Sequence, residues 1–250
     1  MLKRVDILTL FPELIEPYLT SSILARAQQR QDLNLRAHNI RNFAHNKHHQ
    51  VDDTPYGGKL GMVIQMEPIY QALATIKTKA CQTILLTPAG EKLSMPLCHE
   101  LVQHEHLVLL SGHYEGFDSR LLNYVDRCVS VGDYVLTGGE LPALTLTDAL
   151  IRLLPGVLGN DESAAMDSFY NGLLDWDVFT RPQKFDIFNV PDVLVSGHHQ
   201  NIKRWKIKSS LGNTWRYRPD LLARHPFSEE ERDLLQQFFV EEDKYEFNSR

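Results

Sequence analysis

Arg152 stands between Ile151 and Leu153 in a stretch that would be apolar on nearly every face of a helix, a setting in which a guanidinium needs an anion. Two readings follow: a structural ion pair with Asp148 four residues earlier, or a stabiliser of negative charge developing on a substrate. Asp167 offers a carboxylate that can accept a proton, although Asp161 and Glu162 nearby are equally eligible on composition and plain solvation explains all three. Backbone chemistry is marked more strongly. Three apolar runs break into glycine-bearing loops: Leu86-Thr87-Pro88-Ala89-Gly90, Gly112-His113-Tyr114-Glu115-Gly116, and the longest, Gly132-Asp133-Tyr134-Val135-Leu136-Thr137-Gly138-Gly139-Glu140-Leu141-Pro142. Glycine lets a backbone approach a ligand without side-chain collision, and loops after buried strands are where open α/β sheets bind small molecules. Three such loops predict one composite pocket. It is neither a dinucleotide fingerprint nor a P-loop, because no G-x-G-x-x-G opens a helix after the first strand and no Gly-Lys-Ser or Gly-Lys-Thr occurs.

A second chemistry is charge. The formal net charge of -6 speaks against a phosphate-rich partner, but its distribution does not. Lys203, Arg204, Lys206, Lys208, Arg216, Arg218 and Arg224 face the single acid Asp220 and are interleaved with Trp205, Trp215 and Tyr217. This pattern reads either as an amphipathic helix with a solvated face or, with more force, as a nucleic-acid surface. A second acid-free stretch carries Arg36, His38, Arg41, His45, Lys47, His48 and His49 and resembles a phosphate-facing surface. Its histidines near Asp52 and Asp53 match no ordered zinc spacing, so no metal ligand set is assigned. Many of the opposing acids, from Glu229 to Glu246, read as a separate acidic segment.

The elements that must position these groups alternate in type. Hydrophobic periodicity predicts strands near Val5–Leu10, Leu33–Asn39, Thr83–Leu86 and Leu107–Ser111, and helices near Pro12–Arg30, Pro68–Lys79 and Ser119–Tyr124, with another capped by Ser94. A long polar loop runs from Asn39 to Gly61, and a further helix spans Leu141–Leu154 with Pro142 in its first turn. The pattern is α/β with a mostly parallel sheet. Composition shifts to Gly, Asn, Asp, Glu and Ser between Gly159 and Gly172, which marks a linker; beyond it, Ser228-Glu229-Glu230-Glu231 forms a capping box ahead of a last helix. The 250 residues suffice for one large domain or two modest ones. Cys81, Cys98 and Cys128 are odd in number and far apart, which fits free thiols in a cytoplasmic protein. The most apolar helix is too short for a bilayer and carries Asp148 and Arg152, so no membrane partner is expected.

Taken together the motifs resemble the bacterial tRNA (guanine-N1)-methyltransferases of the SPOUT class. The likeness runs in order through Thr9-Leu10-Phe11-Pro12-Glu13, Val51 to Gly58, the three glycine loops, Pro155 to Gly159, Asp167-Ser168-Phe169, Thr180-Arg181-Pro182, Val193 to Gly197, Arg204-Trp205 and Ser210-Leu211-Gly212. It implies a SPOUT-type α/β domain over residues 1–159 with a C-terminal trefoil knot, a linker over 160–172, and a small helical tRNA-binding domain over 173–250. It also implies a homodimer with active sites at the subunit interface, and tRNA rather than DNA as partner. By the same resemblance S-adenosylmethionine, the methyl donor, is held by Leu86, Thr87, Pro88, Gly112, Tyr114, Glu115, Gly116, Val131, Gly132, Tyr134, Leu136, Gly138, Gly139 and Pro142. Substrate tRNA is contacted by Tyr56, Gly57, Gly58, Ser196, Gly197, Lys203, Arg204 and Trp205, and magnesium assists without an identifiable protein site.

The reaction implied is methylation of N-1 of the guanine immediately 3′ of the anticodon, with Asp167 as general base from the partner subunit and Arg152 opposite the developing charge on O-6. The chain departs from the family at Lys59-Leu60, where glycine with proline or alanine is usual, at His113, where arginine is frequent, and at His198 and Asn213. Two alternatives stand beside this reading: a tRNA-binding homologue without turnover, and a SPOUT enzyme acting on ribosomal RNA.

Overall fold

The computed structural model describes residues 1–30, 32–58, 60–158 and 167–248. Its chain contacts divide into two compact units, residues 1–161 and 162–250. The first is built on a five-stranded sheet of β1 (Arg4–Thr9), β2 (Asn34–Asn39), β5 (Cys81–Lys92), β6 (His106–Leu110) and β7 (Arg127–Ser130), in the order β2-β1-β6-β5-β7. Every pairing in it is parallel. β3 (Asp52–Asp53) and β4 (Val63–Ile64) form a separate antiparallel ribbon.

A parallel sheet must be covered on both faces, and the side-chain alternation of β6 shows how. Leu107 and Leu109 point into a cluster with Ile15 and Leu19 of α1 (Pro12–Leu19), Leu24 of α2 (Ser22–Arg30), Leu97 of α4 (Met95–Leu101), and Leu146 and Leu150 of α5 (Glu140–Ile151). Val108 and Leu110 point the other way, to Ile69, Leu73 and Ile76 of α3 (Met66–Ile76) and to Ile40 and Leu121. Because every β6 residue is buried, its polar exception His106 must be satisfied inside. Its Nε2 meets the Asp6 carboxylate at 2.7 Å and its Nδ1 meets the Thr78 hydroxyl at 3.0 Å. Asp6 is itself fully buried and also engages His38 and Arg4, each at 2.6 Å. Burial would raise that carboxyl, but the hydrogen bonds from His38, Arg4 and His106 outweigh it and hold Asp6 below its ordinary value.

Several local expectations are corrected. The helix expected over Pro12–Arg30 is two helices: the Thr20 and Ser21 hydroxyls donate back to the carbonyls of Glu16 and Tyr18, both at 2.9 Å, and Ser22 takes a left-handed φ of 49°. Ser119–Tyr124 is a 3-10 helix, six residues capped by the Asp118 side chain, rather than an α-helix. The polar loop after β2 holds a 3-10 turn, Ile40–Phe43, and the β3–β4 ribbon. β5 runs well past Leu86, because Leu86 and Glu91 both face Val129 and the four residues between them bulge out of the sheet. β7 is a strand that the periodicity reading did not name. The helix after the third glycine loop starts at Glu140 and ends at Ile151, and Ser94 caps α4 through the Leu97 amide.

In the second unit the helix His199–Tyr217 packs on the helix Glu229–Asn248 around Leu173, Leu211 and Leu234. The capping box forms: the Ser228 amide donates to Glu231 at 2.7 Å and the Glu231 amide to the Ser228 hydroxyl at 3.2 Å. The acidic segment, however, is not separate from the basic one. Glu230 takes Arg204 at 3.1 Å, Glu241 takes Lys208 at 2.7 Å, and Glu242 takes Arg216. Of the linker, residues 159–166, with Asp161 and Glu162, lie outside the described residues. All three cysteines are free, and burial pushes the Cys98 thiol up to about 11. No helix among the described residues is long and apolar enough to cross a membrane.

Candidate active site

The bulge inside β5 and the carboxyl ends of β6 and β7 form the three glycine loops, and parallel pairing brings all three to one edge of the sheet. Together they enclose a cavity of about 640 Å³, in the range that takes a nucleoside-sized ligand. Its wall includes Leu86, Thr87 and Pro88 from the first loop, Gly112, Tyr114, Glu115 and Gly116 from the second, and Val131, Gly132, Tyr134, Leu136, Gly138, Gly139 and Pro142 from the third. Every residue that the family resemblance assigns to the methyl donor therefore faces one space.

A buried polar network that the motif reading did not find sets the relation of the second and third loops. Glu140, in the first turn of α5, is 4% exposed. One of its carboxylate oxygens accepts from the Thr9 hydroxyl at 2.5 Å, and the other meets Nε2 of His113 at 2.8 Å. The Thr9 hydroxyl also accepts the Phe11 amide at 2.9 Å, and the Phe11 and His113 rings lie 4.7 Å apart between centroids. The Gly139 amide donates to the Gly112 carbonyl at 2.7 Å, while the Ser111 hydroxyl donates to the Gly139 carbonyl at 2.9 Å. A Cβ on Gly139 would lie 2.7 Å from the Ser111 backbone, so glycine there allows the two loops to touch. In the sequence the acid of Gly-Gly-Glu-Leu-Pro is equally explained by the helix dipole at the first turn of α5, so its buried partners carry no signal of their own.

The β3–β4 ribbon is hydrogen-bonded to the second glycine loop and to Asp118. The Glu115 amide donates to Met62 at 3.0 Å, the Ile64 amide to Gly116 at 2.9 Å, and the Asp118 amide to Ile64 at 2.9 Å. Hydrogen bonds from Arg120 at 2.6 and 2.9 Å hold the Asp118 carboxyl, another part of the cavity wall, below its ordinary value. Tyr56 is fully exposed and, with Gly57 and Gly58, lies in the turn joining β3 to β4; Lys59 is outside the described residues.

Arg152 is half-buried just past the end of α5, and the Asp148 carboxylate four residues earlier accepts the Tyr18 hydroxyl at 3.1 Å. Asp167 is half-buried in the second unit, whose Tyr170 amide donates to its carbonyl. In that unit Ser196 and Gly197 follow the short helix Asp192–Val195, Lys203 is exposed, Arg204 is ion-paired, and the Trp205 ring lies 6.2 Å from Phe179. No group of three or more His, Cys, Asp or Glu side chains that could hold a metal stands among the described residues.

Residues 3–224 match the family model described as tRNA (Guanine-1)-methyltransferase TrmD. The chain belongs to the TrmD family. Among curated relatives, a tRNA (guanine-N(1)-)-methyltransferase of Halalkalibacterium halodurans is 48% identical over 96% of this chain and 100% of its own length. Enzymes of the same name from Staphylococcus haemolyticus and Staphylococcus aureus are each 46% identical, over 94% and 95% of this chain and 97% and 98% of theirs. In this TrmD chain the cavity-forming loops and the ribbon all lie inside the matched span.

Proposed function

We propose that the chain transfers a methyl group from S-adenosylmethionine to N-1 of the guanine immediately 3′ of a tRNA anticodon. The observation that carries this reading is the coincidence, in a TrmD-family chain, of every residue assigned to the donor with the wall of one cavity. The relatives are named as tRNA enzymes, so neither a non-catalytic binder nor an enzyme of ribosomal RNA is favoured.

Bound in the cavity, S-adenosylmethionine supplies an electrophilic methyl group. The chain's own residues then have two tasks. N-1 of guanine carries a proton and is not nucleophilic until that proton leaves, so Asp167, contributed across a homodimer interface, accepts it. Negative charge then spreads onto O-6, where the Arg152 guanidinium lowers the barrier. The base reaches them after extrusion from its stack. Tyr56, Gly57, Gly58, Ser196, Gly197, Lys203, Arg204 and Trp205 form the tRNA-contacting set. The methyltransferase domain is residues 1–159, with the trefoil knot of the SPOUT class, followed by a linker over 160–172 and a tRNA-binding domain over 173–250. The free thiols suit the cytoplasm, where tRNA is available. Magnesium has no side-chain cluster of this chain among the described residues to hold it, and no step is routed through it.

The test is transfer of a labelled methyl group to an unmodified tRNA transcript and to one altered only at the target guanine. Transfer to the first alone is expected; donor binding without transfer to either would overturn the proposal.

A further inference from the structure

The cations that sequence reading marked most strongly are largely spent inside the second unit. Arg204, Lys208 and Arg216 are paired with acids of the last helix, and Arg218 with Asp220 at 2.8 Å. The other acid-free stretch is in the opposite condition. His38 is taken up by the buried Asp6, but Arg41 and Lys47 hold no ion pair among the described residues, and Lys47 and His48 are exposed. The loop that carries them is built rather than slack. Asn46 accepts the His48 amide at 3.2 Å and the Gln50 amide at 2.8 Å, and donates to the Gln50 carbonyl at 2.6 Å. Arg41 and His49 tie the two ends together, the guanidinium donating to the His49 carbonyl at 3.4 Å and the imidazole Nδ1 to the Arg41 carbonyl at 3.1 Å.

Its position is equally specific. The loop follows β2, which runs parallel to β6 two places away in the sheet, so it emerges at the same edge as the cavity, roughly 10 Å across at ordinary strand spacing. It passes directly into the ribbon, where the Gln65 amide donates to Val51 at 2.7 Å, and the ribbon is hydrogen-bonded to the cavity wall at Glu115, Gly116 and Asp118. The loop that carries Arg41 and Lys47 is thus joined through the ribbon to the cavity wall. Asp52 and Asp53 lie on that ribbon, and neither pairs with Arg41 or Lys47.

We propose that the loop from Arg41 to His49 is a docking surface for the phosphate backbone of the RNA substrate, with Arg41 and Lys47 as its permanent charges. This rests on the tRNA methyltransferase reading. The substrate's phosphates meet cations that need not first leave an internal carboxylate, as Arg204, Lys208 and Arg216 must.

The experiment measures tRNA affinity across a salt series for the full chain, Arg41→Ala, Lys47→Ala and the double variant, with donor affinity and thermal midpoint as controls of folding. Each neutralisation is expected to weaken tRNA binding several-fold and to reduce the slope of log affinity against log salt by about 0.7–0.9, leaving donor affinity unchanged. Arg41→Lys should keep the slope, which separates charge from loop packing. If the wild-type chain methylates tRNA and the double variant keeps its affinity and slope, the docking surface is wrong and the parent reading survives. A wild-type chain without transfer overturns both.

Discussion

His113 and Glu140 meet at 2.8 Å across two of the three cavity loops, and the carboxylate between His113 and Thr9 is almost wholly shut from water. A buried carboxylate with both oxygens engaged is costly to strip of its partners. Glu140→Ala leaves the Thr9 hydroxyl and the His113 imidazole unsatisfied and should cost about 2–4 kcal/mol of stability, against about half that for Glu140→Gln, which keeps an acceptor. Denaturant unfolding of the two variants measures the difference; equal costs would show that a neutral acceptor gives no relief and that the network needs the carboxylate charge.

The same pair constrains the glycines beside it. A Cβ on Gly138 would sit 2.1 Å from His113 Nε2 and 2.4 Å from Glu140 Oε2, whereas one on Gly139 would sit 2.7 Å from the Ser111 Cα. Side chains can turn aside and backbone cannot. Gly139→Ala should therefore cost at least about 1–3 kcal/mol of overpacking and lower donor affinity about tenfold or more. In Gly138→Ala the loss should be partly recovered when His113 is also cut back to alanine. Calorimetric titration with S-adenosylmethionine ranks these variants, and no recovery in the double variant would remove the imidazole as the source of the clash.

These two cases show what the sequence could convey. Glycine loops behind apolar runs announced the cavity because backbone approach restricts residue type, and the parallel sheet was legible in strands that are apolar throughout, such as Leu107–Leu110. Glu140 was not legible as a network member, since its partners Thr9 and His113 are remote in the chain and neither has a distinctive spacing. The helix break at Thr20–Ser22 was missed because back-bonding hydroxyls leave the apolar period intact. Charge misled for a related reason: local composition lists Arg204, Lys208 and Arg216 as available cations, and only the packing of two helices brings Glu230, Glu241 and Glu242 to them.

The proposed chemistry separates binding from turnover. Asp167→Asn and Arg152→Ala should leave donor affinity within about twofold of wild type while lowering the single-turnover methyl-transfer rate by about 10²-fold or more, the ordinary contribution of a general base or an oxyanion partner. Rapid-quench measurement with saturating tRNA reads the chemical step directly. A near-normal rate in either variant would take that residue out of the mechanism, and a lost donor affinity would make it a binding residue instead.

The Asp6–His106 pair sets a direction for stability against pH. Burial, opposed by Asp6, keeps His106 below its ordinary 6.5, and hydrogen bonds keep Asp6 below 3.8 despite burial. In the unfolded chain both groups return to ordinary values, so on acidification the unfolded state takes up protons first, and the linkage makes folding stability fall as pH falls. His106 acts in the window from 6.5 down to its lowered value, and Asp6 only from 3.8 downward. Each group contributes at most about 1.4 kcal/mol per pH unit within its own window. His106→Gln retains a donor toward Asp6 without titrating, so its melting temperature should change less than that of the wild type between about pH 7 and 5.5, the region around the ordinary imidazole value. Thermal unfolding monitored by circular dichroism across that interval decides the point; parallel curves for the two proteins would mean that other groups carry the acid sensitivity.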